Sequence, residues 1–298
     1  MNGSVGSAIL DLASGRRLRS ICVVGTGKNA GKTVTARTIA LAALRKGLRV
    51  GITSLGRDGE IVDAVDARLK PRLYLPEGVR IACARDVLPA HPACEILEKT
   101  SWQTAAGPVI IARVRHLGFF EVAGPATSSG ARACIARFFE LGCEIVVVDG
   151  AVDRVAALAG GEDAVVIASG ADGAKTMDEA VEEARALAVR LGTPPFDSQE
   201  PFIEVDGALL PSLAAELMAA GERRQVVVTD PTQIALHGKA MIAIADRLKL
   251  RCRRSLHVVA ATVASVGRDR CFEPRTFLRR VGRAANLPVF DVYANAAA

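Results

Sequence analysis

Residues 21–33, reading Ile-Cys-Val-Val-Gly-Thr-Gly-Lys-Asn-Ala-Gly-Lys-Thr, restrict the possible fold more than any other stretch. The apolar run 21–24 predicts a strand buried on both faces. It breaks into a loop carrying Gly25, Gly27 and Gly31, and Lys32-Thr33 then open a helix. Glycines let the backbone curl until several N–H groups point into one concavity. The positive end of the following helix adds attraction for phosphate oxygens. In this reading Gly27-Lys28-Asn29-Ala30-Gly31-Lys32-Thr33-Val34 wraps the phosphates of ATP. Lys32 reaches the β- and γ-phosphates, and the Thr33 hydroxyl goes to Mg²⁺.

The loop departs from the usual spacing at one place, because Thr26 stands where a glycine is expected, with Gly25 and Gly27 on either side. The same residues also spell Gly25-x-Gly27-x-x-Ala30, a dinucleotide fingerprint that needs an acid at the end of the second strand. That strand, residues 49–54, ends in Thr53-Ser54, and a dinucleotide site has no use for Lys32-Thr33. The phosphate loop is therefore the preferred reading.

A chain of 298 residues can bury a large core. Half of its residues are hydrophobic but only 4% are aromatic, so Ala, Val, Leu and Ile must build that core. This suits a mostly parallel sheet with helices on both faces, an α/β fold of the P-loop NTPase type, followed by a C-terminal α/β unit. No apolar run approaches the roughly 18 residues of a membrane span. The first twenty residues look like a flexible arm carrying only the short apolar group Ile9-Leu10-Asp11-Leu12. The seven cysteines form no Cys-x-x-Cys pair, which predicts buried thiols in a reducing cytoplasm. Cys83, His91 and Cys94 are a weak metal candidate, since a fourth ligand at useful spacing is lacking.

Along the chain, a helix from residue 34 to 46 should bury Ile39, Ala42 and Ala43, with Lys46 near the same stripe and Gly47 as its stop. The second strand then delivers Arg57, Asp58 and Glu60 to the edge of the sheet that carries the phosphate loop. Asp58 or Glu60 could assist Mg²⁺ through its water shell or sense the terminal phosphate, and Arg57 could meet phosphate; a solvated turn explains them equally well. Residues 70–84 read as two short strands flanking Pro76-Glu77-Gly78 like a hairpin, and 93–99 as a helix. Trp102 reads as a core or interface anchor. Strands 109–114 and 119–123 turn at Leu117-Gly118, and a helix over 131–141 leads to the strand 143–148. That strand ends in Asp149, which would hold the Mg²⁺ water shell opposite Thr33, or else cap a turn. Asp153 and Arg154 are weaker candidates on the same edge. Strand 164–168 ends in Ser169-Gly170-Ala171-Asp172, a loop able to line a nucleobase, and Thr176 with Glu179 makes a capping box.

Residues 192–201 break the pattern and predict a boundary, giving an arm (1–20), a nucleotide-binding domain (21–192) and a C-terminal α/β domain (201–298). In the last, strands at 203–205, 225–229, 256–261 and 289–292 alternate with helices at 211–220, 238–250 and 274–285. From residue 201 onward 14 Lys and Arg face 9 Asp and Glu, so five of the six net positive charges lie there. Arg251, Arg253 and Arg254 form one cluster; Arg275, Arg279, Arg280 and Arg283 form another on a helix. Such clusters are usually solvated faces, or else they dock an acidic protein. Nucleic acid fits poorly, for want of aromatic platforms.

Five stretches together resemble a known family: residues 25–33, then 51–60 (Gly-Ile-Thr-Ser-Leu-Gly-Arg-Asp-Gly-Glu), 70–75 (Lys-Pro-Arg-Leu-Tyr-Leu), Ala123-Gly124-Pro125 and 149–154 (Asp-Gly-Ala-Val-Asp-Arg). They are similar to the smaller subunit of the lysine 5,6-aminomutase reactivating system, a resemblance that spans residues 20–171. It implies a helper of an adenosylcobalamin- and pyridoxal-phosphate-dependent aminomutase, one that uses ATP to exchange damaged cobalamin. The implied partners are that mutase and a larger MutS-like subunit. In that family the larger subunit is described as the ATPase, which leaves open whether this chain hydrolyses nucleotide. The loop also resembles that of dethiobiotin synthetase and, more broadly, those of cobyrinate synthetases and molybdopterin-guanine dinucleotide accessory proteins. Lys28 is similar to the additional lysine of deviant-loop ATPases, displaced by one position. The second reading is thus a stand-alone ATP-dependent ligase or kinase whose substrate pocket is lined by residues 124–129. A third is a scaffold with a vestigial loop.

Overall fold

The runs of Val, Ile and Ala that read as buried strands form the middle of the sheets in a computed structural model, which describes residues 4–54, 73–88, 93–104, 106–150, 158–161 and 163–293. Packing divides the chain into two units, Met1–Val24 with Lys32–Ala157 and Gly25–Gly31 with Leu158–Ala298. The first contains α1 (Val5–Ser14), β1 (Ser20–Gly25), α2 (Lys32–Arg45), β2 (Val50–Ser54), β3 (Leu73–Leu75), β4 (Arg80–Ala84), β5 (Cys94–Thr104), β6 (Gly107–Val114), β7 (Gly118–Phe120), α3 (Ser128–Glu140) and β8 (Ile145–Asp149).

Its main sheet has the order β1-β8-β2-β4-β6-β5. The first four strands are parallel, and β6 and β5 add to them antiparallel. β1 and β2 are buried at every position, and β8 at every position before Asp149. Strands covered on both faces need apolar residues throughout, which these supply. Helix α2 buries Ala36, Ile39, Ala40, Ala42 and Ala43. Helix α3 starts at Thr127, whose side chain accepts the Gly130 N–H, and buries Cys134, Ile135 and Phe138.

Several expectations need correction here. The arm at 1–20 contains helix α1, capped by the Ser4 side chain and burying Ile9, Leu10 and Ala13. Its docking depends on Gly6, where an added Cβ would lie 2.2 Å from the Thr38 carbonyl oxygen and 2.8 Å from Ala42 Cβ of α2. Lys46 lies beyond the end of α2 and pairs with Asp11 of α1 at 2.5 Å. The helix expected over 93–99 is the first half of β5, whose register on β6 runs from Cys94↔Val114 to Thr104↔Gly107. Glu95, Leu97, Glu98 and Lys99 favour helix locally, but pairing along the eight residues of β6 overrides that preference. Neither expected hairpin forms. β3 pairs with β7, whereas β4 pairs with β2 and β6, so the two short strands find different partners and not each other. Trp102, half-buried on β5, lies 3.8 Å from a Cβ built on Gly130.

The second unit contains β9 (Asp163–Gly170), α4 (Met177–Leu191), β10 (Phe202–Glu204), α5 (Pro211–Ala219), β11 (Gln225–Val228), α6 (Gly238–Ala245), β12 (Lys249–Cys252), β13 (His257–Ala264), α7 (Pro274–Ala285) and β14 (Val289–Asp291). Strands β9, β13 and β14 are parallel neighbours, and β10-β11-β12 form a separate parallel sheet. Thr176 caps α4 by accepting the Glu179 N–H at 3.2 Å. Helix 238–250 divides, because the chain turns after Ala245 and residues 249–252 pair with β11. Residues 192–201 lie inside this unit and are held to β12 by Cys252 N–H to Pro194 O and Phe196 N–H to Cys252 O, each 3.0 Å.

Three of the seven clustered arginines pair with carboxylates. Arg253 makes two hydrogen bonds to Glu204 at 2.6 and 2.7 Å and lies over the ring of Phe196. Arg254 reaches buried Asp230 at 3.3 Å, and Arg280 reaches Asp178 at 2.6 Å. Among the described residues no helix is long and apolar enough to cross a membrane. Six cysteines are buried and Cys271 is exposed. Burial pushes the Cys134 thiol up to about 12 against a hydrogen bond with Thr53, and Cys252 up to about 11.

Two outcomes follow. Gly6→Val should undock α1 and cost roughly 3–6 kcal/mol, since burying Ile9 and Leu10 contributes about 1.5–3 kcal/mol each; denaturant titration measures this. A thiol reagent added to native protein should modify Cys271 alone at the fast rate, and mass spectrometry of the labelled peptides identifies it.

Candidate functional site

The site starts from a register. In the first unit β1 and β8 run parallel with Val23 opposite Asp149, so the β8 carboxylate arrives where β1 is about to end. The chain leaves β1, passes through residues 26–31 and re-enters at Lys32 as the first residue of α2. Thr33 Oγ1 then donates to Asp149 Oδ2 at 3.1 Å. The separation in sequence is 116 residues, and the parallel register closes it. Gly150 leaves β8 by giving its N–H to Val23 O at 2.9 Å.

Two hard oxygen donors about 3 Å apart suit Mg²⁺. The ion holds oxygens at about 2.0–2.1 Å in an octahedron, whose adjacent corners are then about 2.9 Å apart, and it keeps most of its other ligands as water or phosphate. Among the described residues no group of three or more His, Cys, Asp or Glu is arranged to hold a metal ion. Asp58, Arg57 and Glu60 lie outside the described residues, as do His91, Asp153 and Arg154. Cys83 and Cys94, which might have joined His91, are both buried. The Cys83 thiol donates to Glu121 O at 3.1 Å and accepts the Ala123 N–H at 3.3 Å.

Beside Asp149, at the end of β2, stands Ser54, its partner in register. Ser54 Oγ donates to Val122 O at 3.1 Å and accepts the Gly124 N–H at 3.0 Å. Only glycine fits at 124, where a Cβ would lie 2.1 Å from Ser54 O. Residues 121–124 therefore cross the carboxyl ends of β2 and β4, and Ala84 N–H adds a bond to Ala123 O at 2.8 Å. Glu121 Oε1 is buried there with no hydrogen-bond partner among the described residues. Sequence reading found the 124–129 loop but not Ser54 or Glu121, because their contacts bridge 68 and 38 residues.

In the second unit the loop Gly25–Gly31 is fixed from its other neighbours. Thr26 N–H donates to Ala168 O of β9 at 2.9 Å. Asn29 and Gly31 both take left-handed backbone angles, with φ of 57° and 87°. Asn is among the few side chains that tolerate this region, and such residues curl successive N–H groups toward one point. Ala30 is buried, Lys28 and Asn29 are exposed, and Gly27, Gly31, Lys32, Thr33 and Val34 are half-buried.

No protein-family model matches the chain, and no curated protein does. Among solved structures, the signal recognition particle receptor FtsY from Elizabethkingia anophelis aligns over 93% of this chain and 71% of its own. The identity is 14% and the TM-score 0.30, too slight a likeness to argue from.

If Asp149 serves a metal, Asp149→Asn should weaken nucleotide binding about tenfold or more in Mg²⁺ and change it little in EDTA, as charge-assisted contacts are worth roughly 1.5–3 kcal/mol. Calorimetry in both buffers checks this, and equal losses in the two would count against the metal role.

Proposed function

We propose that the chain binds a nucleoside triphosphate with Mg²⁺ on residues 27–34. The observation that carries this reading is the Thr33–Asp149 hydrogen bond, made by a residue that follows in sequence a loop containing left-handed Asn29 and Gly31. Loop amides and Lys32 hold phosphate oxygens, and Thr33 and Asp149 hold the ion. The ion would neutralise charge between the β- and γ-phosphates. Lys32, as the first residue of α2, adds its charge to the positive end of that helix.

The finer reading is an ATP-binding accessory subunit in the reactivation of an adenosylcobalamin-dependent aminomutase, working in the cytoplasm beside a MutS-like ATPase subunit. Its support is the sequence resemblance over residues 20–171. Bound nucleotide would act by favouring one arrangement of the chain for which a partner has differential affinity, the only way a ligand shifts such an equilibrium. Hydrolysis by this chain is not required for that role.

One observation favours the alternative, a ligase or kinase acting on a small molecule: residues 121–124 lie beside Asp149 through Ser54, and Glu121 Oε1 is buried with no hydrogen-bond partner among the described residues. ADP release that depends on a small molecule, with no protein partner present, would mark that enzyme.

The test is calorimetric titration of the full chain with Mg-ATP. Micromolar binding or better, about −8 kcal/mol, is expected, and Lys32→Ala should reduce it at least tenfold while leaving the thermal melt unchanged. A well-folded Lys32→Ala protein that binds as the wild type does would contradict the assignment. For the finer reading, the same variant should fail to restore an inactivated mutase.

A further inference from the structure

The first unit carries a concentration of charge at the other end of its sheet from Asp149. Arg80 of β4 stands opposite Arg113 of β6, and Arg113 stands opposite Glu95 of β5, so the three side chains form one row on one face. Arg80 is also the register partner of Gly51, the second residue of β2, whereas Ser54, which ends β2, is the partner of Asp149. Three residues of strand, about 10 Å, therefore separate the row from the level of Asp149.

The glycine at 51 leaves room over β2 for α3 and the turn that follows it. A Cβ there would lie 2.8 Å from the Phe138 ring and 3.2 Å from Cys143 Sγ, and Arg80 Nη1 lies 4.0 Å from that same sulfur. The row thus faces α3. Thiol sulfur is a weak acceptor. Burial pushes the Cys143 thiol up despite the opposing charges of Arg80 and Arg49, so it stays neutral and offers Arg80 no negative charge.

Negative charge is short here. Glu95 Oε2 lies 2.6 Å from Arg115 Nη2 and 3.9 Å from Arg113 Nε, so one carboxylate serves two guanidinium groups. Arg80 has no carboxylate partner among the described residues. The neighbouring carboxylates are taken, Glu144 by Arg49 at 3.5 Å and Glu98 by Arg137 of α3 at 2.6 Å. Three positive charges therefore share one negative, and two of the three stand directly opposite each other on adjacent strands, which destabilises a sheet. Nε of Arg80 and Nε of Arg113 are both buried with no hydrogen-bond partner among the described residues, so these groups have lost part of their hydration and gained no acceptor. The side chains of Arg113 and Arg115 remain 37% and 44% exposed, so a solute can reach them.

We propose that Arg80, Arg113 and Arg115 hold a phosphate dianion, either free or as the head of a small phosphomonoester. The excess of two positive charges calls for a dianion, and guanidinium forks match the spacing of phosphate oxygens. Partly desolvated guanidinium groups attract an anion more strongly than fully hydrated ones do. The bound dianion offsets the repulsion between Arg80 and Arg113. This site is additional to the nucleotide loop and does not rest on it, since none of residues 27–34 belongs to it.

The experiment is calorimetric titration of the full chain carrying Lys32→Ala, in EDTA at about pH 8, with inorganic phosphate, glycerol phosphate and acetate at constant ionic strength. The substitution and the absence of Mg²⁺ disable the nucleotide loop, and a phosphomonoester is a dianion there, its second pKa being about 6. At least one of the two phosphates should bind at about millimolar affinity or tighter, and at least tenfold more tightly than acetate. Tighter binding of glycerol phosphate would make a monoester the ligand, and equal or tighter binding of inorganic phosphate would make it free phosphate. Arg80→Gln and Arg113→Gln, each added to this protein, should weaken that binding about tenfold or more. Arg113 is the partly exposed position, so its variant keeps the test valid should Arg80→Gln fold poorly. Acetate binding as tightly as both phosphates would overturn the proposal, as would well-folded arginine variants that keep the affinity of their parent. Arg113→Gln in the otherwise wild-type chain should bind Mg-ATP as the wild type does, so failure of this site and failure of the nucleotide loop are read separately.

Discussion

The parallel pairing of β1 with β8 is the constraint on which the candidate site depends. It places Asp149 opposite Val23, two residues before β1 ends at Gly25. A slip of one residue would turn the carboxylate to the other face of the sheet, because side chains alternate. The slip is opposed by the core, since Val146, Val147 and Val148 are wholly buried between partners that are themselves buried. The hydrophobic pattern of two strands thereby fixes the distance between a hydroxyl and a carboxylate 116 residues apart. In parallel sheets such functional groups gather at the carboxyl ends of the strands, and Ser54 and residues 121–124 follow the same rule.

The loop's shape has a separate origin. Its left-handed residues, Asn29 and Gly31, and its contacts with Gly170 and Ala264 belong to the second unit, whereas Lys32 and Thr33 belong to the first. Small residues are needed at each of these approaches, and the sequence has Gly or Ala there. The carboxylate of Asp172 extends the arrangement by ordering a hairpin tip that lies about a hundred residues further along.

What could be read in the sequence was what is local. Residues 21–24 are apolar at each position because both faces of β1 are covered, and Lys32 through Arg45 carries a helical stripe of Ala and Ile. Asp149 could be found because it ends an unbroken apolar run. Contacts between distant segments could not be read. The sequence Glu95-Ile96-Leu97-Glu98-Lys99 prefers helix in isolation, and only β6 makes it a strand. Ile9 and Leu10 were too few to suggest a buried helix, and the close approach of Gly6 to α2 explains how they are covered. Strand β12 was hidden in a helical pattern, and Asp172 gave no sign that its partners would be the N–H groups of residues 268–270.

The most direct measurement is amide hydrogen exchange across the full chain with and without Mg-ATP. The account requires residues 27–34 to exchange more slowly when nucleotide is present, as their N–H groups are the ones that meet phosphate. Exchange in 27–34 that is the same in both conditions, at nucleotide concentrations that saturate any micromolar site, would contradict it.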